Sequence, residues 1–243
     1  MKLNGDERAT PKFRLPEIKT PADIDALKHL TPEEKAYGKT VLKKIPDSHG
    51  WVVMGNDPEL QALWHLMERE YTALLEGDFQ GIPYGPMNLI ALETSRRSGN
   101  QYMYGLFATL NVRQIEAFGL PKDDVAKISL SGDPDAGVWS KEERLTIRFT
   151  HAVLDRKMSD ELFAEARATW GEKRLLRLFA WINYVDMWAR LSEMLNMRFS
   201  PEMLPPGMKI PPEAITGITA LMCGTRKQVR EFVTDKMSNF PGK

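Results

Sequence analysis

Between residues 172 and 197 the chain reads EKRLLRLFAWINYVDMWARLSEMLNM, a helical pattern that is apolar almost all the way round. A helix of this kind must be covered on most sides, by its own domain or by another subunit, because each large aliphatic left in water forgoes roughly 1.5 to 3 kcal/mol of burial. The rest of the chain supplies the helices needed to cover it. Thr31-Pro32-Glu33-Glu34 is a capping box with proline at the first helical position, and it predicts a helix ending near Lys44. Asp57-Pro58 opens a helix whose Leu60, Leu63, Trp64, Met67, Tyr71, Leu74 and Leu75 follow the i, i+3, i+4 rhythm. That face is assigned to the core, and Gln61, Ala62, His65, Glu68 and Arg69 to a solvated face. Gly85-Pro86 starts a third helix, and Ser140-Lys-Glu-Glu143 is a second capping box, ahead of RLTIRFTHAVL. His151 lies at the flank of that helix's apolar stripe, where a structural histidine is favoured over a catalytic one. Ser159-Asp160-Glu161 starts a further helix that Gly171 interrupts, and after the proline-rich SPEMLPPGMKIPPEA a last helix carries Ile215, Ile218, Met222, Val229 and Val233 on one side. No segment alternates as a strand does, so the expected fold class is all-α.

Composition narrows the choice of ligand. Acidic and basic residues balance at 33 each, so nothing in the charge favours nucleic acid or an anionic membrane as partner. The single cysteine, Cys223, excludes an intrachain disulfide framework and any CxxC redox or zinc motif. The first twenty residues lack the apolar run of a signal peptide and read as an extended arm leaning on the body or on a neighbouring subunit. No run approaches the roughly 18 apolar residues of a membrane span, and the expectation is a soluble cytoplasmic protein. Thirteen methionines are scattered through helical core positions without companion His or Cys ligands, which makes them flexible core filling. With no glycine-rich phosphate loop, HExxH, nucleophile elbow or metal spacing, neither cofactor nor metal is expected.

The most informative stretch is ETSRRSGNQYMYGLFATLNVRQIEAFGLP, two turns of helix, a Gly99-Asn100 joint, and a second helix closed by Gly119 and Pro121. Together with the later WSKEERLTIRFTHAVLDRKMSDELFAEARATWGEKRLLRLFAWINYVDMWARLSEMLNM it resembles the carboxymuconolactone decarboxylase and alkylhydroperoxidase-D superfamily. The resemblance divides the chain into an arm and helical extension (1–56), an alkylhydroperoxidase-D-like (AhpD-like) helical bundle (57–198), and a proline-rich crossing with a C-terminal helix (199–243). In that family a Glu and a His relay protons to a Cys pair. Laid on this chain without gaps, the Glu falls at Asn88, the cysteines at Asn100 and Met103, and the His at Phe107, so the redox residues are absent. The decarboxylase branch, which often reads Glu-Tyr-Glu-Trp and then His, is matched here by Gln101, Tyr102, Met103 and Tyr104, again with Phe107 at the His.

At helical spacing Asn88, Leu92, Ser95, Arg96, Gly99, Asn100, Met103 and Phe107 share one side. Asn88, Leu92, Asn100, Met103 and Phe107 are therefore the candidate lining of a site for a small organic acid. Arg96 would hold the carboxylate bidentately, and Tyr102 or Tyr104 would return a proton. The competing reading makes Arg96 and Arg97 surface ion pairs and the tyrosines core residues. The leading expectation is a cofactor-independent lyase or isomerase acting on an aromatic, lactone or polyketide-derived acid, with decarboxylation first among its reactions. The alternative is a non-catalytic ligand-binding or assembly protein on the same scaffold. A thiol peroxidase ranks last, because thiol chemistry needs a thiolate at the site. The two apolar helices also predict a homo-oligomer, for which the resemblance implies a trimer or hexamer, with a dimer as the fallback.

Overall fold

A computed structural model describes residues 13–44, 49–75, 84–117 and 127–197. They form α1 (Pro21–Ala26), α2 (Pro32–Leu42), α3 (His49–Met54), α4 (Pro58–Leu74), α5 (Pro86–Arg97), α6 (Gln101–Ala117), α7 (Lys141–Leu154) and α8 (Asp160–Met194). With no strand among the described residues, the fold is all-α. Among them, too, no helix is long and apolar enough to cross a membrane.

The helix starts follow the local chemistry. Glu34 N–H donates to Thr31 Oγ1 at 3.2 Å while Thr31 N–H donates to Glu34 Oε2 at 2.7 Å, and Ser140 and Glu143 make the same reciprocal pair at the head of α7. Asp57 Oδ1 accepts from the Leu60 N–H at 2.9 Å and opens α4. Gly171 interrupts α8 with φ 71° and ψ 164°, a backbone that glycine adopts without steric cost. The six-residue helices α1 and α3 are too short to show a periodicity in sequence; α1 rests on a box of its own between Thr20 and Asp23.

At the centre lies α5, in which every residue from Pro86 to Ser95 is buried, packed against α6, α7 and α8. The apolar helix α8 turns Leu175, Leu178, Trp181, Ile182, Val185 and Ala189 inward, and the Trp181 indole donates to the Met87 carbonyl at 2.9 Å. Among the described residues its opposite face carries exposed apolar side chains, with Leu176 66% and Met194 58% exposed. The arm leans on the body as expected, over residues 13–20. Arg14 N–H donates to the Leu195 carbonyl and Ile18 N–H to that of Val52, and Val41, Val52, Val53 and Met54 join the main core.

The expected orientation of α4 needs correction. Leu60 and Leu63 point outward, whereas Gln61, Ala62 and His65 are buried. The helix is turned by its aromatic anchor: Trp64 packs on Tyr184 and Trp188 of α8, and the Tyr184 hydroxyl donates to Glu68 Oε2 at 2.9 Å. Once Trp64 and Glu68 face α8, Gln61 and His65 follow on the buried side, Leu63 turns to water on the other flank, and Leu60 is left at the edge of the contact. Residues 1–12, the predicted stop at Gly119-Pro121, the proline-rich crossing, the last helix and Cys223 lie outside the described residues.

Candidate functional site

The Gly99-Asn100 joint brings the site together. The Asn100 N–H donates to the Ser95 carbonyl and the Gly99 N–H to the Arg96 carbonyl, both at 3.1 Å, with Gly99 at φ 69°. This paired pattern closes a helix through a left-handed residue, here stopping α5 just past its two arginines. Asn100 then caps α6, its Oδ1 accepting from the Met103 N–H at 2.8 Å. Its Nδ2 donates to the Ala189 carbonyl at 2.8 Å and to Ser192 Oγ at 2.9 Å, which ties the joint to α8.

One turn before the joint, Glu93 is completely buried in α5. Arg96, three residues on, donates to it through both arms of its fork, Nε to Oε2 at 2.7 Å and Nη2 to Oε1 at 2.6 Å. From α7, His151 Nε2 also meets Glu93 Oε1. A carboxylate gripped by a guanidinium is an acceptor, so the imidazole presents Nε2–H to it. In the neutral ring Nδ1 is then the basic nitrogen. Among the described residues Nδ1 makes no hydrogen bond and is not a buried unpaired atom, and the His151 side chain keeps 20% of its surface exposed. The Glu93 bonds hold Arg96 more firmly protonated than usual, against the opposing effect of its burial, and the Tyr104 hydroxyl adds to that pull. Next to this cluster Arg97 pairs with Asp155, so α5 and α7 are joined twice.

The predicted residues divide between the site and the core. Arg96 stands at the cluster, and its fork closes on Glu93. Tyr104 comes from α6 to the same region, its hydroxyl donating to the Ile128 carbonyl at 3.3 Å. Tyr102 and Met103 are members of the main core, Phe107 packs against it, and Leu92 and Asn88 are buried along α5. Asn100 spends its amide on the α6 cap and on α8. Sequence reasoning passed over Glu93 and set His151 aside as structural. The available signal was an acidic residue inside the apolar run NLIALET with an arginine three positions on; the separation of 58 residues between Glu93 and His151 hid the pairing. Among the described residues no three His, Cys, Asp or Glu side chains gather as a metal would require. Comparison of the chain with protein-family models, with curated proteins and with solved structures gave no match.

Proposed function

We propose that the chain is a cofactor-independent lyase or isomerase that moves protons on a small aromatic, lactone or polyketide-derived acid, with decarboxylation the leading reaction, on a divergent AhpD-like scaffold. The observation that carries this reading is His151, oriented through Nε2 by a fully buried carboxylate that Arg96 also grips, with Nδ1 left open. A buried Glu–His pair of this kind keeps one tautomer and stabilises the imidazolium when it forms. In a decarboxylation the bond to the departing carboxylate breaks, its electron pair moves into a conjugated carbonyl, and the imidazolium returns a proton to the carbon left behind. In an isomerisation neutral Nδ1 takes a proton from a carbon beside a carbonyl and gives it back at another position. Arg96 engages both oxygens of Glu93, and Tyr104 stands at the edge of the same cluster. The His151 role replaces that of the tyrosines as proton donor, because the Tyr104 hydroxyl is directed to a backbone carbonyl and Tyr102 is in the core.

The second reading is a non-catalytic ligand-binding or assembly protein, favoured by Arg97 and Asp155, which staple the same two helices as the Glu93 cluster and suit a purely structural clamp. A thiol peroxidase remains last. Under either of the first two readings the protein is cytoplasmic and a homo-oligomer, a trimer or hexamer with a dimer as fallback. Incubation with a panel of aromatic and lactone acids, followed by mass spectrometry for loss of carbon dioxide or water, separates the readings. Wild-type turnover that falls about 100-fold or more in a folded His151→Asn variant is the expected result. Turnover that survives that substitution removes His151 from the chemistry. Ligands that raise the thermal midpoint without any turnover make the protein a binder.

A further inference from the structure

Gly132 lies directly against the Arg96 side chain. A Cβ built on Gly132 would lie 2.4 Å from Arg96 Cζ, 2.7 Å from Nη2 and 2.8 Å from Nε, far inside any real contact. The last two atoms are the nitrogens that grip Glu93. Gly132 does not have the left-handed backbone of Gly99, Gly137 and Gly171, so space rather than conformation calls for glycine here. Its surroundings are fixed. The Ile128 carbonyl accepts from Tyr104 and from the Ser131 N–H, the Asp133 N–H donates to the Leu130 carbonyl at 2.9 Å, and the Asp133 carbonyl accepts from the Trp139 indole at 2.8 Å. Ser131 itself is completely buried. If a side chain were added at position 132, the mobile partner would be the Arg96 fork, whose side chain is 36% exposed and has somewhere to go.

We propose that Gly132 is a positioning residue whose missing side chain forms the slot that presses the Arg96 guanidinium onto Glu93, and thereby sets how strongly Glu93 holds a proton on His151. Arg96 Nη2 and His151 Nε2 converge on the same oxygen, Glu93 Oε1. With Arg96 in place its positive charge offsets the carboxylate that would otherwise stabilise an imidazolium. With Arg96 displaced, the whole carboxylate charge acts on His151 and favours the protonated ring. Of the charges on these elements, Arg97 is paired with Asp155 and Arg148 with Glu165, and Tyr104 is held on Ile128. The catalytic meaning of this slot rests on the acid–base reading above, but its physical effect needs no substrate.

Nitrogen-15 NMR of the full-length chain, with the His151 ring assigned by its loss in His151→Gln, reads that effect. In Gly132→Ala the His151 titration midpoint should move upward relative to wild type, in the same direction as in Arg96→Met. Adding Gly132→Ala to Arg96→Met should shift it no further, since the two act through one contact. A Gly132→Ala midpoint equal to wild type, or an equal further rise in the Arg96→Met background, overturns the proposal. Should Gly132→Ala fail to fold, the double variant is compared with Arg96→Met alone: equal stability supports the slot, because the shorter side chain makes room, and a double variant that fails where Arg96→Met folds overturns it. These shifts in a protein that turns over no acid would leave Gly132 its role and defeat the enzymatic reading; turnover without the shifts would do the reverse.

Discussion

Glu93 is a buried carboxylate with two N–H donors from Arg96 and one from His151, and its burial is tolerable only because those partners are present. Removing one member of a buried ionic group leaves the others uncompensated. Glu93→Ala should therefore lower unfolding free energy by about 3 kcal/mol or more, read by urea denaturation, and a loss under about 1 kcal/mol would mean that water already shares the site. Arg156 shows the opposite imbalance. It ends α7 at φ 56°, with its N–H on the Val153 carbonyl and that of Lys157 on the Ala152 carbonyl, a left-handed position that glycine would occupy more easily. Arg156→Gly should raise stability by about 0.5 to 1 kcal/mol in the same assay. Both residues stand plainly in the sequence, but neither environment does, because burial and φ are not properties of a residue type.

At the scale of elements, boundaries were the most legible feature. Thr31, Asp57, Ser140 and Ser159 mark helix starts, and Gly99 and Gly171 mark interruptions, because capping and glycine conformation act over a few adjacent residues. Helix orientation was less legible. The apolar stripe of α4 was wide enough to allow more than one rotation, and Trp64 against Tyr184 and Trp188 selected the one that buries His65 and exposes Leu63. The most demanding element contact is Asn100, whose side chain serves the α6 cap and two groups of α8 at once. Asn100→Ala should cost about 2 to 4 kcal/mol, more than a lone cap, because buried acceptors on α8 lose their donor. A cost near 1 kcal/mol in chemical denaturation would reduce Asn100 to a simple cap.

For the whole molecule, the open question in the packing is the outer face of α8. Leu176, Phe179, Asn183, Arg190 and Met194 repeat on one side of that helix, and three of the five are large apolar side chains that are exposed among the described residues. Paired between subunits, such a face would gain burial that the described residues do not give it. Size exclusion with light scattering at micromolar concentration should show an oligomer, and the pair Leu176→Glu and Phe179→Glu should shift it toward monomer without loss of helicity. A wild-type monomer would end the oligomer reading; an intact oligomer in the double variant would move the interface off α8.

By itself the sequence determined the all-α class, the positions at which most of the long helices begin, and the break at Gly99-Asn100. Each of these rests on interactions within a few residues or on a period that repeats along one element. Only the tertiary structure decided that α5 rather than α8 is the most enclosed helix, that Arg96 closes on Glu93, and that His151 comes to the same carboxylate from the next helix but one. Those facts depend on how three helices rotate and cross, a choice made by the summed packing of Trp64, Trp181, Asn100 and their neighbours, and no local pattern in the chain encodes it.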